Sequence, residues 1–216
     1  MKTRLTSVLM LISSYTFSQD LPDLKKYSKD IGFNTSVLLN GIINSSGSPF
    51  DLMLKKQRTS NTATRFGMSL YADINTNTST GSNSYYQYNN YRMSISVGKE
   101  KQNQLSKRWI FYYGGDLAPF YQFNKRRYYN SNKLQDENGD TEIGLRVSPF
   151  LGIRFQINER LYLGTEALLR LSYSFKEASW KSYNGFNNDY TKNNESFNNL
   201  HAQAIPATGV FIFYRF

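Results

Sequence analysis

Ionisable residues are sparse enough in the strand-like parts of this chain to be read one at a time. Arg92, Asp116, Arg146, Arg154, Glu166 and Arg170 each lie in a run of alternating residues, and each falls on the set opposite the apolar one. Charges placed that way could line an ion-selective constriction, or pair with one another inside a filled interior. Lys125, Arg126 and Arg127, followed by Tyr128 and Tyr129, have the composition of an anion-binding patch. Asp136 to Glu142 carries oxygen side chains at alternate positions, as calcium loops do. It lacks the Gly at the sixth place and the Glu at the twelfth, and its Asn138-Gly139 pair is also an ordinary hairpin turn, so no metal is assigned. His201 is the one histidine. A nucleophilic site would need it within reach of a Ser and a carboxylate, and no spacing selects the nearby serines or Glu195. His201 is therefore read as a rim residue, with no catalytic residue and no cofactor. The chain has no cysteine, which excludes disulfides, thiolate nucleophiles and cysteine-ligated metals.

The elements that must position these residues show a period of two, the strand period. Predicted strand 1 is Ile31–Ile43, with Phe33 and Val37 opposite Asn34 and Ser36. Strand 2, Phe50–Arg58, sets Leu52 and Leu54 against Asp51 and Lys55; strand 3, Thr64–Ile74, sets Phe66, Met68 and Leu70 against Gly67 and Ser69. Strand 4 is Tyr85–Gly98 and strand 5 is Trp109–Phe123. Strand 6, Thr141–Ile157, and strand 7, Leu161–Phe175, alternate most cleanly: Ile143, Leu145 and Val147, then Leu169, Leu171 and Tyr173, all face one way. Strand 8 is the last stretch, Ala202–Phe216, where Val210, Ile212, Tyr214 and Phe216 share a face.

Connections tend to alternate in length. Asn75–Ser84, Asn124–Asp140 and Lys176–Asn199 are read as progressively longer polar loops, whereas Thr59–Thr62 and Asn158–Arg160 are tight turns. The three-residue turn at Asn158–Arg160 registers Glu166 against Gly152 and Arg170 against Ser148. Arg154 and Arg146 are then their diagonal neighbours, within reach of long side chains.

At the N-terminus, Lys2 and Arg4 precede a mostly apolar run, Leu5 to Ile12, and then small residues. This predicts a secretory signal peptide over 1–18, with Thr16 and Ser18 at the cleavage site. Asp20 to Asp30 follows as a charged lead-in. No later stretch has eighteen consecutive apolar residues, so no spanning helix is expected. The chain is basic, at +10, and polar on average, with a mean hydropathy of −0.57, yet it holds 17 Tyr and 15 Phe. A transmembrane barrel has this character, because its lipid face takes only alternate residues of each strand.

Two stretches carry a family resemblance. The final A-Q-A-I-P-A-T-G-V-F-I-F-Y-R-F, Ala202–Phe216, resembles the closing strand of Gram-negative outer-membrane β-barrels. The segment G-K-E-K-Q-N-Q-L-S-K-R-W-I-F-Y-Y-G-G-D, Gly98–Asp116, is similar to a turn and strand of small eight-stranded members of that group. The resemblance implies an all-β fold, an eight-stranded antiparallel up-and-down transmembrane β-barrel over 31–216, of the barrel-only kind. It implies a non-catalytic role, structural or in surface interaction, with a narrow pore or a lipid-modifying enzyme as alternatives. Implied partners are outer-membrane lipid, lipopolysaccharide phosphates at Lys125, Arg126 and Arg127, and the barrel-insertion machinery, which would read Tyr214 and Phe216. No nucleic-acid partner is expected of an exported chain. The rival architecture is a soluble secreted barrel of the lipocalin kind. It would reverse every strand, burying the apolar set and exposing Arg146, Arg154, Glu166 and Arg170.

Overall fold

A computed structural model of the chain describes residues 28–35, 50–59, 61–78, 83–183, 190–207 and 209–216. The expected leader, most of the lead-in, Ser36–Ile43 of predicted strand 1 and the turn that follows it lie outside the described residues. Nine strands are present and no helix among the described residues. They are β1 (Lys29–Asn34), β2 (Phe50–Thr59), β3 (Thr62–Thr78), β4 (Ser84–Gln104), β5 (Trp109–Asn130), β6 (Lys133–Gln156), β7 (Leu161–Tyr183), β8 (Tyr190–Ile205) and β9 (Val210–Arg215).

All pairings are antiparallel, and each of β1 to β6 pairs with the next strand. β7 pairs with β9 along its first part and with β8 along the rest. β9 pairs in turn with β1, from Asp30↔Arg215 to Asn34↔Phe211. Eight strands, β1 to β7 and β9, therefore close into a ring. The seam is tied by Phe216 N–H donating to the Lys29 carbonyl at 2.9 Å and by Lys29 N–H donating back at 3.2 Å.

The last predicted strand is two elements because the chain breaks at Pro206–Gly209. Proline has no N–H for the ladder. Gly209 has φ +120°, a conformation that side-chain-bearing residues rarely adopt. The partners Leu168↔Ile205 and Thr165↔Val210 show three steps along β7 against five along its neighbour. The two extra residues leave the faces unchanged, since a shift of two preserves a period of two.

Short turns and both described ends of the chain lie at one rim of the ring; long hairpins rise from the other. The stretches read as loops at Asn124–Asp140 and Lys176–Asn199 are largely strand. β5 and β6 pair as far as Asn130↔Lys133, and β7 and β8 as far as Tyr183↔Tyr190. Backbone pairing does not require apolar alternation, and cross-strand contacts hold the extensions. Tyr85 stacks on Tyr129 at 4.6 Å and Tyr86 on Tyr128 at 4.7 Å. The β5–β6 turn falls at Ser131 and Asn132, with φ of 51° and 60°. Asn138-Gly139, read as a turn, lies within β6, so Asp136–Glu142 is strand and cannot wrap a calcium ion as a loop would.

The alternation has an unusual sense. Ile95 is 67% exposed and Ile143 60%, whereas Arg154 and Glu100 on the opposite face are 1% exposed. Phe33, Leu54, Phe66, Leu145, Leu171 and Val210 are likewise exposed, and Asp30, Lys55, Arg65, Glu166 and Arg215 are buried. The apolar set faces out and the charged set faces into the ring.

Inside the ring, glycines make room for aromatic rings. A Cβ on Gly32 would collide with the Phe213 ring, and one on Gly152 would lie 2.5 Å from the Tyr112 ring. Phe213 stacks on Tyr162 at 4.7 Å, and Phe211 completes this small core. Gly152→Val is therefore expected to destabilise the folded ring by about 1–3 kcal/mol through overpacking. A urea titration reads this as a lowered midpoint. Ile153→Val, on the exposed face, is the control and should leave the midpoint nearly unchanged.

Candidate functional site

The charged lumen follows from parity. Successive strands carry their inward residues at odd positions in β2 and β3 and at even positions in β4 to β7, so Lys55, Arg65, Glu100, Asp116, Arg154 and Glu166 all point inward. They meet in the half of the ring nearer the short turns. Arg65 is the hub: its Nη1 and Nη2 donate to the two Glu166 oxygens at 2.9 and 3.0 Å. This fork spans the ring, because β3 and β7 are not neighbours. Arg65 also reaches Asp116 at 3.3 Å and Glu100 at 3.4 Å, and its guanidinium lies 3.8 Å from the Phe150 ring centre. Lys55 donates to Glu100 at 2.7 Å and sits over the rings of Phe213 and Tyr112. Gln102 donates to Glu100 at 2.8 Å and accepts from Arg154 at 2.9 Å. Tyr112 O–H donates to Glu166 at 3.1 Å.

Three formal positive charges, on Lys55, Arg65 and Arg154, thus meet three negative ones, on Glu100, Asp116 and Glu166. Nearer the seam, Arg215 donates to Asp30 at 2.8 Å and Tyr162 O–H donates to the same carboxylate at 2.9 Å. The interior of an eight-stranded ring is about wide enough for side chains to fill, and here charged and aromatic side chains fill it.

Of the six residues singled out in the sequence, Asp116, Arg154 and Glu166 join this cluster. Arg92 and Arg146 lie further toward the long hairpins, over the rings of Tyr71 (5.4 Å) and Phe120 (4.9 Å). Arg170 is half-buried in β7, opposite Gln203. The register Gly152↔Glu166 is as the short turn dictates. Even so, Glu166 takes Arg65 as its ion-pair partner, and Arg154 turns to Gln102. Three members were passed over. Arg65 and Lys55 share the parity of Gly67 and Asp51, which was the available signal. Glu100 lies beyond Gly98, the expected end of strand 4, but β4 runs on to Gln104.

Outside the ring lies a second cluster. Lys125 and Arg127 face outward beyond the apolar band, whereas Arg126 turns inward onto Tyr86 (4.5 Å) and Tyr88 (5.3 Å). Glu137 accepts from Arg127 at 2.9 Å, Lys125 at 3.0 Å and Lys181 at 3.2 Å. Partial burial alone would raise the Glu137 carboxyl pKa, but hydrogen bonds from these three cations outweigh it and bring it down to about 2. Three cations share one carboxylate, leaving two positive charges in surplus. Tyr214 and Phe216 are exposed on the outer face, and the Tyr214 hydroxyl accepts from Arg160 at 3.2 Å. His201 is exposed on β8, opposite Ser172.

Neither a known protein family nor any curated protein matches this sequence.

Two outcomes are expected from this geometry. Glu166→Ala removes the two-pronged partner of Arg65 and should cost about 3–5 kcal/mol, whereas the double change Arg65→Met, Glu166→Leu should recover only part of that loss, because Asp116 then loses its Arg65 contact. Urea midpoints of the three variants decide it. A carbon-13 carboxyl titration should put the Glu137 midpoint near 2, and Arg127→Ala should move it upward toward 4.5. Because the folded pKa is depressed, the stabilisation from Glu137 is fully present above about pH 4.5 and is lost as the pH falls through about 2.

Proposed function

We propose that this chain is a transmembrane β-barrel of the Gram-negative outer membrane, non-catalytic, with a structural or surface-interaction role at its long-hairpin end. The observation that carries the reading is the inverted burial, with charges packed inside and Ile, Leu, Val, Met and Phe exposed outside. In water that exterior would be an aggregation hazard; in hydrocarbon it is what a lipid face requires. The edges support the same reading. Lys56, Lys99 and Lys101 lie outward at the short-turn end, beyond the apolar band, and Lys125, Arg127 and Lys181 at the other. Aromatic pairs flank the band, Trp109 with Phe155 at 4.8 Å and Tyr91 with Phe123 at 6.2 Å, as interfacial girdles do. A ring also satisfies the backbone internally, the condition for crossing a bilayer without helices.

In this reading the short turns and the Lys29–Phe216 seam are periplasmic. Tyr214 and Phe216 present the closing strand to the insertion machinery. Lys125, Arg127 and Lys181, with two charges to spare, contact lipopolysaccharide phosphates; Arg126, on the inner face, does not. The charge-balanced cluster around Arg65 keeps the lumen shut to ions.

The test is expression of the whole chain in a Gram-negative host, followed by fractionation and gel electrophoresis of boiled and unboiled samples. A band in the outer membrane that shifts on boiling is expected. A soluble band without a shift would overturn the reading and turn the barrel inside out. In the same preparation, Arg127→Ala with Lys181→Ala should lower co-purifying lipopolysaccharide at least about twofold. Planar bilayers should show no steady conductance.

A further inference from the structure

Beyond the Arg65 cluster, toward the long hairpins, residues of β3 to β8 line an open cavity of about 790 Å³. Pockets for small molecules span about 300–1,000 Å³. Carboxamides are prominent in its walls: Asn75 and Asn77 from β3, Asn90 from β4, Asn124 from β5 and Asn138 from β6. Each offers two donors and an acceptor in one plane, which suits paired hydroxyl groups. The Asn90 Oδ1 oxygen is buried without a hydrogen-bond partner among the described residues. Asp140 is fixed from two sides, accepting from Asn124 at 2.9 Å and pairing with Lys176 at 3.3 Å.

Aromatic rings share this polar cavity. Tyr88, Trp180 and Phe197 line it, and Trp180 and Phe197 remain 38% and 41% exposed. Exposed rings among amides form stacking platforms for a molecule with one apolar face and a polar edge. The lining charges that face inward nearly cancel: Asp73, Asp140 and Glu195 stand against Arg126 and Lys176, with Lys125 turned outward onto Glu137. The one negative charge in surplus disfavours an anion, and the polar wall disfavours a lipid tail. A pyranose ring fits this description, with hydroxyls around its edge and C–H bonds on its face.

We propose that this vestibule binds a neutral oligosaccharide, stacked on Trp180 and Phe197 and hydrogen-bonded by the asparagine wall. The inference rests on the barrel reading above, which places this mouth at the cell exterior.

The protein has two tryptophans, so Trp109→Phe leaves Trp180 as the sole reporter. The full chain, refolded in lauryldimethylamine oxide to avoid sugar detergents, is first checked for its shift on boiling. It is then titrated with maltotriose, cellotriose, mannotriose and tri-N-acetylchitotriose up to about 20 mM, with calorimetry in parallel. At least one should give a saturable response with Kd of about 0.1–10 mM. Asn124→Ala and Phe197→Ala should each raise that Kd at least about fivefold while the gel shift is kept. The proposal falls if no trisaccharide binds, or if those two variants leave Kd unchanged. It also falls if a sulfated disaccharide or a neutral peptide mixture binds more tightly than every trisaccharide. A chain that keeps its gel shift and membrane residence but binds no sugar overturns only this inference; one that never enters the membrane overturns the barrel reading itself.

Discussion

The two-pronged contact between Arg65 and Glu166 fixes the inside of this molecule. Arg65 leaves β3, crosses the lumen and forks onto a carboxylate carried by β7. A guanidinium and a carboxylate taken out of water each lose several kcal/mol of solvation, and only close geometry with further hydrogen bonds offsets that loss. The cluster supplies both. Glu166 also accepts from Tyr112, Arg65 also meets Asp116 and Glu100, and Glu100 is held in turn by Lys55 and Gln102. Removing one member leaves another as an unpaired buried charge, so these walls are committed to one arrangement.

That commitment depends on the ring being closed, and closure rests on a short seam. β9 provides it, pairing with β1 on one side and β7 on the other. The break at Pro206–Gly209 shifts the final strand by two residues without swapping its faces. Phe211, Phe213 and Arg215 therefore stay inside while Val210 and Tyr214 stay outside. A shift of one residue would have driven Arg215 outward and left Asp30 without its ion-pair partner.

The two ends of the lumen differ in kind. Toward the short turns, space is taken by salt bridges and by rings that lie against glycines. Toward the long hairpins, the inward positions pass to asparagines and partly exposed rings.

The face of each strand was legible in the sequence, because a period of two assigns every residue to one side or the other. Ile143, Leu145 and Val147 against Gly144, Arg146 and Ser148 needs no coordinates. The Gly152↔Glu166 register also followed from a short turn alone. Strand ends were less legible: β5 to β8 continue into polar sequence where pairing, not hydrophobicity, sustains the ladder. Glu100 fell beyond the expected end of strand 4 for the same reason. What only the tertiary structure decided is which inward residues meet. Periodicity gives a side chain its face but not its bearing around the ring. Arg65 and Glu166 stand 101 residues apart on strands that never pair, and only closure of the sheet brings them opposite. The same limit applied to the mouth, where asparagines scattered over four strands read as loop composition until the ring assembled them into one wall.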